Sequence, residues 1–107
     1  MPRYLMLALN GPTGGEGDDA ALNRWYDEVH IPDWKAIPEV KSARRYKTVR
    51  GNLPGMEAWP YLAAYEIETD DMAAVSARLQ QMRPFDPALD RSRSGHLMAV
   101  EIGGDEA

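Results

Sequence analysis

Two short runs set the terms for the whole chain: residues 3–9 (RYLMLAL) and residues 96–102 (HLMAVEI). Each is apolar at nearly every position, so neither alternates as a strand with one wet face does. Both need cover on two sides. Between them the sequence offers only two helices, and two helices cover one face of a sheet. The second face needs a cover from outside the chain, and a second copy of the chain supplies one.

The intervening elements fall into order around those runs. Residues 10–17 (NGPTGGEG) are glycine-rich and read as a loop. They lack the lysine and spacing of a phosphate-binding loop, so nucleotide binding is not expected. Asp18 and Asp19 suit the positive end of a helix that runs to about His30. Pro32 is expected to end it, because the residue before a proline, Ile31, is pushed out of helical geometry. Residues 33–38 form a connector. Residues 39–50 (EVKSARRYKTVR) alternate as a long strand. The pattern puts Val40, Ser42, Arg44, Tyr46 and Thr48 on one face and Lys41, Ala43, Arg45, Lys47 and Val49 on the other. Residues 51–60 read as a loop and residues 61–68 as a third strand. Thr69, Asp70 and Asp71 cap a second helix whose apolar positions Met72, Val75, Leu79 and Met82 keep the helical period; Pro84 stops it. Residues 85–94 connect to the last strand, and residues 103–107 look like a frayed tail.

The order β-α-β-β-α-β is the ferredoxin-like arrangement of the α+β class, with two helices on one face of a four-stranded antiparallel sheet. At 107 residues the chain, 1–107, is one domain. With the second sheet face bare, it is expected to form a homodimer whose sheets pack face to face.

Charge and composition narrow the function. The chain has 17 acidic against 12 basic residues and a net charge of −5, which argues against nucleic acid as a partner. No apolar run approaches the roughly 20 residues of a membrane span, and no signal-peptide pattern opens the sequence. No membrane association and a cytoplasmic location are the expectations. The absence of cysteine excludes disulfides, thiol nucleophiles and thiolate metal sites. With only His30 and His96, neither a transition-metal site nor another cofactor is expected.

The polar cluster that stands out lies in residues 22–33, LNRWYDEVHIPD. At about 100° per residue, Asn23, Tyr26 and His30 share an arc of roughly 60°. Leu22, Trp25 and Val29 lie on the adjoining, core-facing arc, and Arg24, Asp27 and Glu28 face water. The three polar residues thus sit where packing holds them beside a pocket.

This stretch, N-x-x-Y-x-x-x-H-x-P-D with Asn23, Tyr26, His30, Pro32 and Asp33, followed by IPEVKSARRY at 37–46, resembles the dimeric α+β barrel superfamily and within it the EthD-like proteins. The resemblance implies that fold, a dimer, and a pocket between sheet and helices. The superfamily spans cofactor-free monooxygenases, isomerases, polyketide cyclases and haem proteins, so it implies no single reaction.

Each candidate has two readings. His30, titrating near pH ~6.5 when unperturbed, is either a proton-transfer group or a helix-end residue that bonds a free carbonyl. Asp33 either orients His30 or caps the next turn. Tyr26 either donates to a substrate carbonyl or is an amphipathic core tyrosine. Asn23 either positions a substrate oxygen or is a surface asparagine. Arg44 and Arg45 point to opposite faces, one toward the pocket, where it binds a carboxylate or enolate oxygen, or into an interface ion pair. His96 joins the pocket from the last strand or is structural. Trp34, Trp59, Tyr61, Tyr65 and Phe85 either line an aromatic pocket or serve as core and loop anchors.

Taken together these residues predict a small cofactor-independent enzyme of isomerase, cyclase, lyase or monooxygenase type. It acts on an apolar, oxygenated, aromatic or cyclic metabolite. His30, Asp33 and Tyr26 are catalytic; Asn23, Arg44, Tyr65 and His96 bind substrate. The alternatives are a non-catalytic dimer that holds a small hydrophobic molecule, and a haem binder with His30 or His96 as axial ligand.

Overall fold

The apolar first run forms β1 (Arg3–Asn10) at the centre of a four-stranded sheet. The computed structural model describes residues 1–105, so the last two residues of the expected tail lie outside the described residues. The other strands are β2 (Val40–Lys47), β3 (Tyr61–Glu68) and β4 (Gly95–Val100). Their order is β2-β3-β1-β4, and every pairing is antiparallel. This is the ferredoxin-like α+β arrangement expected from the element order.

Directly opposed residues share a face, so the pairing assigns both sides of the sheet. Met6 lies opposite Tyr65 and Met98, and Ala8 opposite Ala63 and His96. Tyr65, Ala63 and Ile67 are buried, which marks this as the helix-covered face. Leu5, Leu7, Leu62, Ala64, Leu97 and Tyr46 belong to the other face. No helix covers it: Leu5, Leu97 and Tyr46 are 40%, 49% and 48% exposed.

On β2 the alternation read from the sequence breaks at a bulge. Val40 lies opposite Ile67 but Ser42 lies opposite Glu66, so Lys41 is the extra residue. Val40 therefore shares the helix-covered face with Ala43 and Arg45, and not with Ser42 and Arg44. The strand runs Val40–Lys47, shorter at both ends than expected.

The first helix departs from expectation more deeply. It does not stop before Pro32. α1 (Asp18–Trp25) passes into a widened π turn (Tyr26–His30) and on into α2 (Ile31–Lys35), with Ile31 itself helical at φ −61, ψ −46. The Ile31 N–H reaches back five residues to the Tyr26 carbonyl. The π turn resets the hydrogen-bond ladder, and Pro32 falls in the first turn of a new segment, where its missing N–H leaves no bond unmade.

α3 (Met72–Leu79) starts as expected: Asp71 accepts the Ala74 N–H at 3.1 Å, and the Thr69 hydroxyl accepts the Asp71 N–H at 2.9 Å. Only eight residues long, it covers little of the sheet. Leu22, Trp34, Ile37, Tyr65, Ile67 and Val75 form the core beneath the helices. Beyond α3 the chain crosses the end of the sheet irregularly. There Thr13 N–H bonds Ala88 O (2.9 Å) and Asp90 N–H bonds Gly11 O (3.0 Å), tying residues 88–90 to the loop after β1. Gly11 is needed at this crossing, since a Cβ would lie 2.6 Å from Ala58 O and 2.8 Å from Pro60 Cδ.

Candidate functional site

Where α3 stops short, a cavity of about 860 Å³ opens between β1, β4, the π turn and residues 79–85. Its buried floor carries Asn10, Tyr26, His30, Trp34 and Tyr65. Phe85, Arg91 and His96 are exposed and form its rim. Of the predicted site residues, the cavity gathers His30, Tyr26, Tyr65 and His96. It does not gather Asn23, Asp33 or Arg44.

The π turn sets the aromatic geometry. The His30 ring stacks on Trp25 (4.5 Å, 20°), meets Tyr26 edge-on (5.2 Å, 85°) and lies 5.7 Å from Phe85. Trp34 stacks on Tyr65 at 3.7 Å. Trp34, one turn beyond His30, donates its indole N–H to His30 Nε2 at 3.2 Å. An indole nitrogen only donates, so Nε2 holds a lone pair and the proton of the neutral ring is on Nδ1. Burial pushes the His30 pKa down to about 4, with the negative charge of Asp33 opposing that shift. At neutral pH the ring is uncharged, and its buried Nδ1–H has no partner.

Two more floor residues are similarly incomplete. Asn10, 2% exposed, gives its Nδ2 to Ala8 O (3.2 Å) and to the Tyr26 hydroxyl (2.8 Å), leaving Oδ1 without a donor. The Tyr65 hydroxyl is buried and unpartnered. Burial pushes the Tyr26 pKa up to about 12, against the pull of Arg45, and it raises that of Tyr65 as well. Both phenols remain protonated donors. A buried polar group without a partner costs about 1–3 kcal/mol, and three on the walls of one cavity mark where a ligand's polar atoms fit.

Asp33 takes another partner. Its carboxylate forms a two-pronged pair with Arg83, Nη2–Oδ1 at 2.7 Å and Nε–Oδ2 at 3.1 Å, which holds its pKa below the ordinary carboxylate range. The orienting hydrogen bond expected between Asp33 and His30 is absent, and Trp34 orients the ring instead. The physical reason lies in the continued helix: three residues on, Asp33 has rotated toward Arg83, whose Nη2 also reaches Val29 O at 3.3 Å. Asp33 touches the site only through its charge.

Asn23 lies in a separate cluster. Its Oδ1 accepts from Arg45 Nη1 at 2.7 Å, and its Nδ2 donates to Asp19 O (2.9 Å) and Tyr61 Oη (3.3 Å). Of the two strand arginines, Arg45 is the one beneath the helices. Its guanidinium sits 4.4 Å from the Tyr26 ring and 5.0 Å from the Tyr61 ring. Arg44 is on the bare face and exposed. Asn10 and Trp34 are the functional candidates that periodicity passed over. Asn10 was hidden at the start of a glycine-rich loop, and Trp34 was counted only as an aromatic. The i, i+4 spacing of His30 and Trp34 was the available signal, obscured by the expected helix stop.

No protein-family model matches the sequence, and no curated protein matches it. Solved structures do. An EthD family protein from Bacillus halodurans is 15% identical with a TM-score of 0.55, over 95% of this chain and 100% of that one. A DABB family protein with a ferredoxin-like fold from Mesorhizobium loti has a TM-score of 0.61 at 9% identity, over 96% and 100%. A dimeric ferredoxin-like protein from Thermobifida fusca has 0.53 at 13%, over 94% and 92%. The chain thus shares the ferredoxin-like α+β fold of these proteins. Among the proteins that share this fold are EthD-like ones, as the resemblance implied; at these identities the likeness is one of fold.

Proposed function

We propose that the protein is a homodimeric small-molecule enzyme that binds an apolar, oxygenated ring compound beside His30 and polarises one of its oxygens. One observation carries this reading. Among the described residues, five buried side-chain polar atoms lack partners; three of them, on Asn10, His30 and Tyr65, belong to walls of the same cavity, and the other two are on Arg45.

The donors are neutral: His30 Nδ1–H and the hydroxyls of Tyr65 and Tyr26. Neutral donors held in place on a buried floor stabilise negative charge as it develops on a carbonyl oxygen, and they need no reorganisation when it does. An enol or enolate intermediate is common to isomerisation, cyclisation and lyase chemistry. In this reading His30 keeps its Nδ1 proton and stabilises the enolate oxygen as a hydrogen-bond donor; its Nε2 lone pair, bound by Trp34, is not the base, so the carbon-bound proton passes to solvent water and returns from it.

Trp25 and Trp34 flank the site, so ligand entry is read by tryptophan fluorescence. The expected result is saturable quenching by cyclic ketones and phenols. His30→Ala weakens binding of the oxygenated ligand and leaves that of its hydrocarbon parent unchanged. Deuterium uptake next to the carbonyl in D₂O, lost in His30→Ala, separates an enzyme from a binder. Equal binding of ketone and hydrocarbon by the unaltered protein would overturn the reading.

The homodimer rests on the apolar bare face, whose Leu5, Leu7, Leu62 and Leu97 make a surface too greasy to leave wet. Some proteins of the same fold are described as dimeric. Sedimentation equilibrium is expected to give twice the chain mass, and Leu7→Glu to give one. A monomer before substitution would contradict the dimer.

A further inference from the structure

The cavity walls are basic in an acidic chain. They include Arg83, Arg91, His30 and His96 and no aspartate or glutamate, although acids outnumber bases 17 to 12 overall. Two of these groups are already accounted for: Arg83 is neutralised by Asp33, and His30 is uncharged. Arg91 is different. Among the described residues it forms no ion pair, and its guanidinium lies 5.0 Å from the Phe85 ring. The nearby acids face elsewhere. Asp90 accepts from Ser92 N and Oγ and pairs with Arg93 Nε at 2.9 Å; Asp86 accepts the Ala88 N–H at 2.9 Å. The rim therefore holds an uncompensated cation, with His96 also on the exposed edge.

Spacing turns this charge into a specificity. Arg91 and His30 both lie against the Phe85 ring, 5.0 Å and 5.7 Å from its centre. The cation and the buried donor are thus neighbours of one aromatic ring on the wall of the same cavity. We infer that the ligand is an organic acid: a ring-sized apolar body with a hydroxyl or keto oxygen at the His30 end and a carboxylate at the Arg91 end. Arg91 is then the residue that selects the acid, by charge and by its planar pair of donors. This inference rests on the cavity reading above and narrows its substrate class.

The test uses three probes: 6-hydroxy-2-naphthoate, its uncharged amide, and 2-naphthol. Affinities are measured by fluorescence on the full chain. The acid is expected to bind about tenfold more tightly than the amide, a gap that closes in Arg91→Met, persists in part in Arg91→Lys and shrinks in high salt. Amide affinity is expected to be the same in Arg91→Met as in the unaltered protein. Equal affinity for acid and amide, with both weakened by His30→Ala, overturns the acid specificity and leaves the cavity reading standing. An acid preference that survives Arg91→Met overturns the role of Arg91. Failure of all three probes to bind overturns both readings.

Discussion

The helix-covered face of the sheet is filled on one side and hollow on the other. Beneath β2 and β3, Val40, Ile67 and Tyr65 meet Ile37, Trp34 and Val75, all buried. Beneath β1 and β4, Ala8 and His96 lie opposite each other, and α3 has ended at Leu79 before reaching them. The same face of the same sheet thus makes a core where a helix covers it, and a cavity where none reaches. Three of the five orphaned polar atoms follow the cavity: Asn10 Oδ1 and His30 Nδ1 lie on the hollow side, and Tyr65 stands at the boundary with its ring in the core and its hydroxyl unpaired; the other two, on Arg45, lie beneath β2. The packed core and the candidate site thus occupy adjacent halves.

That division is open to direct attack. Ile67→Ala, at a fully buried site on the filled side, is expected to cost about 2–5 kcal/mol of unfolding free energy by denaturant titration. Met98→Ala on the hollow side is expected to cost less than about 1 kcal/mol, because half-exposed atoms lose little contact there. Comparable losses at both sites would erase the distinction.

The next effect is a pH dependence. Because burial lowers the His30 pKa from 6.5 to about 4, the unfolded chain binds a proton in that window and the folded chain does not. Stability is unaffected above pH ~6.5 and declines as pH falls from there toward 4, by roughly 1 kcal/mol per pH unit. His30→Leu is expected to flatten the decline between pH 6.5 and 5, above most carboxylate titrations. An unchanged slope would place the charge-sensitive group elsewhere.

Filling the hollow gives a smaller change in stability and a large one in binding. Ala8→Leu is expected to shift unfolding by less than about 1 kcal/mol, since it enters open space, while quenching by any ligand is lost. Smallest is Asp33→Asn. Removing that charge takes away what opposes burial, so the His30 titration midpoint, followed by NMR of the ring protons, moves further down.

Much of the filled side was legible in the residues. The third strand's limits, the Asp71 cap and the apolar positions of α3 follow from local propensity and period, which act within a few residues. The hollow side was legible only in part. Pro32 announces a helix end in any chain whose ladder is regular, and the π turn that admits it depends on packing of Trp25, Tyr26 and His30 against the sheet. On the filled side too, the bulge at Lys41 moves Val40 to the other face of β2, through its pairing with β3. His30 and Tyr26 were found because their spacing needs only the helix. Asn10 enters the site from the loop end of another strand, and Arg91 from a segment with no period at all.

The central claim is that His30 stands neutral, with Nε2 held by Trp34 and an unpaired Nδ1–H offered to a ligand oxygen. Long-range proton–nitrogen correlation NMR at neutral pH reads this state in one spectrum. The account predicts a protonated Nδ1 and a bare Nε2, with the Nδ1 resonance moving when 2-naphthol is added. A proton on Nε2, or a charged ring, would contradict it.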